Sequence, residues 1–262
     1  MKKTFLIITN LFAILTCFNS FSQSNNQDWK AITKFSKSLD NVMYIFPSSV
    51  QEQSRNEFIK TCILAISDNL SIIKEKDFND TITIEFLDNK QQIFKYSGSF
   101  GSGVAQPDRK IIFALTNTPP LKHELMHMIS HIKWGNPSAT TWWMTEGLAT
   151  YSSGTCSGFT VEQIYTYLLF NNMLIPIEKL SENFYKNSEM IAYHQCGYIV
   201  EYLLKNYGLD KFQKLWKTGM VNFENIYSFS FVDLTKMIEA DLNKKYKVSP
   251  NINWTEFKKG CD

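Results

Sequence analysis

The chain has 262 residues, 44% of them hydrophobic and 15% aromatic, with 27 basic and 25 acidic side chains and a formal net charge of +2. That balance excludes a strongly basic nucleic-acid binder and gives no steering toward anionic membranes. The apolar content suits one folded domain of about 240 residues with a full core, not a disordered chain.

Residues 1–22 read as an export signal. Lys2 and Lys3 supply the positive start, Thr4 to Phe18 a short apolar stretch, and Ser20-Phe21-Ser22 a small-residue cleavage site. The apolar stretch is too short for a membrane span, so no transmembrane segment is expected in the mature chain. Lipid attachment at Cys17 is the weaker alternative, because Thr16 fits poorly before a lipidated cysteine. Removing the signal takes two lysines and no acids, which leaves the basic and acidic counts equal. Export to the periplasm or medium would expose Cys62, Cys156, Cys196 and Cys261 to an oxidising compartment. Four cysteines allow three pairings and the sequence does not choose among them. A Cys156–Cys196 bridge and free buried thiols both stay open.

After a polar linker over Ser22 to Gln27, Asp28 to Leu39 and Ser48 to Ile73 read as helices. The second carries Phe58, Cys62, Ile63, Ala65, Ile66 and Leu70 at helical spacing. Thr81 to Phe86 and Gln91 to Tyr96 alternate as two strands around a turn at Asp88-Asn89-Lys90. Gly98 to Pro107 reads as a glycine-bearing connection, with a substrate-cradling role as the alternative. Lys110 to Leu115 is a short β-rich run, and Pro119-Pro120 opens a helix from Leu121 to about His131.

That helix carries His123-Glu124-Leu125-Met126-His127. Histidines at i and i+4 project from one face, where two imidazoles can grip a single divalent ion. Glu124 can lean over the same ion as a general base. A third protein ligand would still leave one water-bearing position on tetrahedral zinc, and Glu146, with eighteen residues between it and His127, is the candidate. With four histidines in the chain, the five-residue pattern arises by chance in roughly three chains per thousand. Chance is therefore the poorer explanation. His131, a further four residues along, reads as a cleft-edge residue, with a supporting partner or spare ligand as alternatives. Gly135-Asn136-Pro137 ends the helix, and Thr141 to Tyr151 returns as the glutamate-bearing helix. Trp142 and Trp143 beside it read as core anchors, with substrate stacking as the alternative. Val161 to Phe170, Met190 to Asn206, Asp210 to Thr218 and Asp233 to Lys244 complete a helical second half.

The segment Trp143-Met144-Thr145-Glu146-Gly147-Leu148-Ala149-Thr150-Tyr151 resembles the W-x-x-E-G-x-A-x-Y helix of gluzincin metallopeptidases. The spacer matches the zinc aminopeptidase branch, not the longer one of the thermolysin branch. Leu174 to Leu180, followed by Tyr193-His194-Gln195-Cys196-Gly197, resembles small bacterial peptidase MA-like domains. The similarity covers about residues 82 to 217. It implies that His123, His127 and Glu146 hold one Zn²⁺ and that Glu124 is the base. Two positions depart from the pattern. The aminopeptidase oxyanion-binding tyrosine, counted back from Gly197, falls on His194 with Tyr193 one step before, so either residue could be that donor. Tyr96 to Val104 also lacks the glutamate that holds a substrate's free amine in aminopeptidases, so aminopeptidase specificity is not inherited.

The expected fold is therefore α+β, a thermolysin-like zincin catalytic domain with a small edge β-sheet packed on a mainly helical bundle. Residues 23–80 would form an N-terminal helical segment, compact with a metallopeptidase domain over 81–262. In the gluzincin pattern the strand at 110–115 would offer its free edge to an extended peptide. The expected activity is zinc-dependent hydrolysis of peptide bonds in a peptide or protein substrate. The alternatives are an exported zinc-binding interaction protein without proteolysis and a hydrolase of a non-peptide amide or ester. Cleavage preference, oligomeric state and regulation are not written in the sequence.

Overall fold

The computed structural model describes residues 33–261, and the export signal, the linker after it and Cys17 lie outside the described residues. The first element is a strand, β1 (Thr33–Leu39), antiparallel to β2 (Val42–Pro47). The expected helix over 28–39 is thus corrected for its described part. Leu39 pairs with Val42 across a two-residue turn, and Asp40 adopts φ 50°, a left-handed conformation that aspartate tolerates better than most residues. The run Val42 to Phe46, to which sequence patterning assigns no element, supplies the apolar face that ordered this hairpin.

Helix α1 (Glu52–Ile72) follows and buries Ile59, Cys62, Ala65, Asn69 and Leu70. It leads to β3 (Ile82–Leu87), which pairs parallel with β2, so the residues on either side of position 80 share one sheet. The next segment, α2 (Lys90–Ser97), is a helix where alternation predicted a strand. Local capping decided it. Asn89 Oδ1 accepts the Gln92 backbone N–H at 3.0 Å, and Gln92 Oε1 accepts the Asp88 N–H at 2.9 Å. Ile93 and Tyr96, three apart, then pack on Leu87, Ile111, Phe113 and Leu115. Gly98, at φ 78°, closes the helix in the conformation glycine adopts without strain.

Strand β4 (Gly103–Gln106) pairs antiparallel with β5 (Ile111–Leu115), which in turn pairs parallel with β3. The sheet order is β1-β2-β3-β5-β4. Strand β5 is buried along its whole length between two partners and has no free edge. The exposed edge expected there belongs to β4, inside the segment read as a connection.

Helices α3 (Leu121–Trp134) and α4 (Trp142–Ser153) come next, then a two-stranded ribbon of β6 (Thr155–Cys156) and β7 (Phe159–Thr160). The chain continues through α5 (Val161–Phe170), α6 (Ile177–Asn183), α7 (Glu189–Tyr207), α8 (Leu209–Thr218), α9 (Phe223–Tyr227), α10 (Phe231–Lys245) and α11 (Trp254–Phe257). The class is α+β, a sheet on a mainly helical body. Among the described residues no helix is long and apolar enough to cross a membrane.

One core joins both parts. Phe86 stacks on Phe46 at 4.6 Å and on Phe58 at 4.8 Å between centroids, which fixes α1 on the sheet. Asn69, fully buried on α1, donates to the Lys122 carbonyl at 2.9 Å and so ties α1 to the start of α3. Helices α4 and α7 pack nearly backbone to backbone: a Cβ on Gly147 would lie 2.7 Å from the Cys196 carbonyl oxygen. Cys156 is bridged to Cys261, whereas Cys62 and Cys196 are buried free thiols. The Cys156–Cys196 alternative is thereby excluded.

Glu85 lies fully buried in β3, opposite Ile45 and Phe113, and neither carboxyl oxygen hydrogen-bonds another described residue. Burial raises its pKa to about 8, against the smaller lowering effect of Arg109. The folded state therefore holds a proton that the unfolded chain releases near pH 4.5. The stability from this proton is complete below that pH and is lost as pH rises toward 8. Glu85→Gln should flatten the decline of unfolding free energy between about pH 5 and pH 8, a difference of a few kcal/mol at the alkaline end. Denaturant titrations at several pH values check this, and an unchanged slope would refute it.

Candidate metal centre and cleft

Helix α3 begins at Leu121 after Pro119-Pro120 and presents His123 and His127 one turn apart on one face. Helix α4 runs against it and brings in Glu146. The two imidazole Nε2 atoms are 3.1 Å apart, and Glu146 Oε2 lies 3.3 Å from that of His123 and 3.2 Å from that of His127. Three ligands of one tetrahedral zinc, at bond lengths near 2.0–2.1 Å, are separated by about 3.3 Å. The donor set therefore fits a divalent cation in both chemistry and spacing.

Electrostatics agree. Burial alone would push the Glu146 carboxyl up, yet the flanking His127 and His123 hold it well below the usual carboxylate range. His127 shows the reciprocal effect: burial lowers it, and Glu146 more than compensates. Glu146 is thus an anion only 7% exposed.

Glu124, also 7% exposed, sits beside this triangle on α3 and lines the same cleft. Its Oε2 accepts the Ala105 backbone N–H at 2.8 Å, a bond to edge strand β4. Burial raises its pKa, the two histidines pull it down, and Glu146 raises it again. The net effect holds this carboxyl above its ordinary range, the direction that favours proton uptake. The close approach of β4 depends on Gly103, because a Cβ there would lie 2.6 Å from Glu124 Cγ and 2.9 Å from its Oε1.

The surrounding cleft has a volume of about 640 Å³, within the range that takes a small ligand or a stretch of peptide. Its walls include Gly103, Val104 and Ala105 from β4, the residues just described, and Trp142, Tyr185 and Tyr193. The ring of Tyr193 stacks on His123 at 6.0 Å, and burial together with Glu146 keeps its phenol protonated, hence a donor.

His194 lies elsewhere. Its Nδ1–H donates to the Met190 carbonyl at 2.8 Å, its ring packs on Phe257 at 5.3 Å, and it does not line the cleft. Successive helix residues point about 100° apart, so Tyr193 and His194 cannot share one face of α7. The expectation of His194 as a donor into the cleft is corrected accordingly. Burial lowers its pKa and keeps the ring neutral.

His131 lines the cleft but stands outside the three-ligand group. Its Nδ1–H donates to the His127 carbonyl at 2.8 Å, and Trp216 of α8 braces its ring edge-on at 5.3 Å. The two tryptophans divide. Trp143 is fully buried in the core, and Trp142 is 45% exposed on the cleft wall, tilted toward Tyr185 at 6.3 Å.

Sequence patterning missed Tyr185. Its hydroxyl donates to Glu146 Oε1 at 2.8 Å, which leaves Oε2 turned to the histidines. It comes from a 3₁₀ turn, Phe184–Lys186, after α6, a place without periodicity to mark it. A partner that orients a metal-binding carboxylate typically changes metal affinity ten- to a hundredfold.

The model of the Peptidase MA superfamily matches residues 76–242, more than half of the chain, and the chain belongs to that superfamily. Among solved structures it is similar to an aminopeptidase N family protein from Idiomarina loihiensis, with 16% identity and a TM-score of 0.34. That similarity covers 87% of this chain and 44% of that one, so this chain spans less than half the length of that protein. No curated protein matches the sequence. The class defined by family and fold is a peptidase-type α+β domain.

Tyr185→Phe should leave the fold intact and weaken binding of a divalent ion by about tenfold or more. Competition against a chromogenic chelator measures it, and unchanged affinity would show that Glu146 needs no such partner.

Proposed function

We propose that this protein is an exported zinc metallopeptidase that hydrolyses peptide bonds, with His123, His127 and Glu146 as zinc ligands and Glu124 as general base. The observation that carries the reading is the convergence of two imidazoles and one buried carboxylate within 3.3 Å, with a second buried carboxylate beside them. Family membership supports a peptide substrate and a zinc-dependent chemistry.

A zinc ion bound by this set supplies Lewis acidity, which eases deprotonation of water and polarises a carbonyl. The rest falls to the chain's own residues. Edge strand β4 offers backbone groups on its unpaired side, against which an extended peptide can align. Glu124, held by the Ala105 N–H, accepts the proton of the attacking water and returns it to the leaving amine. Tyr193, protonated and stacked on His123, is the donor best situated to hydrogen-bond the developing oxyanion. Tyr185 keeps Glu146 in its binding orientation. Trp142 and Tyr185 give the cleft mouth an aromatic wall for substrate side chains.

Export rests on the signal-like residues 1–22, and the Cys156–Cys261 bridge is consistent with an oxidising destination. N-terminal sequencing of the secreted form tests it: a mature start near residue 23 is expected, and an intact Met1 would refute it.

Digestion of a peptide library by the zinc-loaded protein should yield cleavage that chelation abolishes. Glu124→Gln should keep zinc yet lose about a thousandfold in turnover, and Tyr193→Phe about a hundredfold. Stoichiometric zinc without any cleavage would instead identify a metal-binding interaction protein. Full activity of Glu124→Gln would overturn the mechanism.

A further inference from the structure

A second group of side chains that could hold a metal lies outside the cleft. Cys156 of β6, His194 of α7 and Cys261 near the chain end each offer one ligand atom, and these atoms lie within 4.8 Å of one another. Cys156 and His194 are buried, whereas Cys261 is exposed. The two cysteines are bonded to each other, so the strap that follows α11 is tied to the ribbon.

His194 is the informative member. A carbonyl can only accept, so the bond from Nδ1 to Met190 O places the ring proton on Nδ1 and the lone pair on Nε2. That lone pair lies 3.8 Å from Cys261 Sγ, and a disulfide sulfur has no proton to donate. A backbone carbonyl that fixes the tautomer and aims the other nitrogen at a sulfur is the arrangement seen behind metal-ligating histidines. The distance also suits that role, because N and S ligands on one tetrahedral zinc stand about 3.6 Å apart, from bond lengths near 2.0 and 2.3 Å.

We propose that, once the Cys156–Cys261 disulfide is reduced, Cys156, Cys261 and His194 bind one thiophilic divalent cation such as Zn²⁺, with exposed Cys261 leaving the fourth position to water. The electron balance is simple. A dithiol reductant gives two electrons and two protons to the S–S bond, which breaks into two thiols, and is itself oxidised to a disulfide. Binding of the cation as a bis-thiolate then releases the two thiol protons, while His194 contributes its existing lone pair. Two-electron oxidation reverses this, restores the S–S bond and expels the ion. The bridge would then exclude the ion wherever oxidants prevail. The proposal does not depend on the peptidase reading, because it uses none of the cleft residues.

The test is a Co²⁺ titration of the full chain, stripped of metal, in its oxidised form and after reduction by a phosphine that is then removed. Reduction should add one bound equivalent and a near-ultraviolet thiolate-to-cobalt charge-transfer band, whatever the oxidised protein binds at its histidine–glutamate group. Re-oxidation should release that equivalent. Cys261→Ser should abolish the band, which separates this group from the buried thiols of Cys62 and Cys196. His194→Gln, which leaves both thiols in place, should weaken the added site at least tenfold. Equal stoichiometry before and after reduction, a band that survives in Cys261→Ser, or loss of the fold on reduction by circular dichroism would each overturn the proposal.

Discussion

A carboxylate that stays ionised while almost wholly removed from water is the constraint around which the site is built. Burying such a charge without partners is prohibitively unfavourable, and a buried acid ordinarily escapes by taking up a proton. Glu146 does not escape, because two imidazoles stand within 3.3 Å of one oxygen and a tyrosine hydroxyl within 2.8 Å of the other. The partners arrive on two different elements: His123 and His127 on α3, Tyr185 on the turn after α6. Helix packing around this point must therefore be accurate to a few tenths of an ångström. Gly147 shows how that is achieved. One residue after the buried charge, α4 presses against the backbone of α7 where no side chain fits, and this draws Tyr193 toward Glu146. The glutamate–glycine pair of the motif is a charge followed by the contact that seats it.

The second carboxylate obeys a different rule. Glu124 is left without a fixed cationic partner of its own, and its hydrogen bond comes from a backbone amide of β4. Burial thus pulls it toward protonation while the neighbouring histidines and amide pull it back. One acid is locked as an anion and the other is poised to exchange a proton, although they lie on facing helices of the same cleft. Separating two like groups by environment in this way is what permits acid–base chemistry near neutral pH. Gly103 has its place in this division: without a Cβ, β4 comes close enough for the Ala105 amide to reach the carboxylate.

The legible parts of the sequence were those with a period or a fixed spacing. The i, i+4 histidines, the later glutamate and the long amphipathic helices could be read because helix geometry alone brings such residues to one side. Two segments were misread where short-range chemistry competes with alternation. Residues 91–96 alternate, yet the Asn89 cap and the Ile93–Tyr96 pair make a helix of them. The hairpin of β1 and β2 exists because a five-residue apolar run needed a sheet face, and its turn at Asp40-Asn41 carries no glycine to announce it. Residues whose role comes from tertiary approach were not legible in any window. Tyr185 lies 39 positions from Glu146, and Cys261 lies 105 from Cys156. The choice between Tyr193 and His194 likewise turns on which face of α7 meets the cleft, a matter of helix rotation that one tryptophan or glycine elsewhere can set.

Under the proposed function, chemistry and recognition draw largely on different residues, so the motif points to a reaction class and not to a substrate. The proposed metal-binding and proton-transfer groups lie on α3 and α4. The surfaces that would meet a substrate are the unpaired edge of β4 and the aromatic pair Trp142 and Tyr185. A strand edge reads main chain and is nearly blind to side chains, since every residue offers the same amide and carbonyl. Discrimination therefore falls on the few side chains that face the cleft mouth and on the segment from Gly98 to Gly103, where this chain has no carboxylate to hold a free amine. Trp142 can change without disturbing the buried triangle, whereas Tyr185 and Gly103 are each tied to one of the two carboxylates.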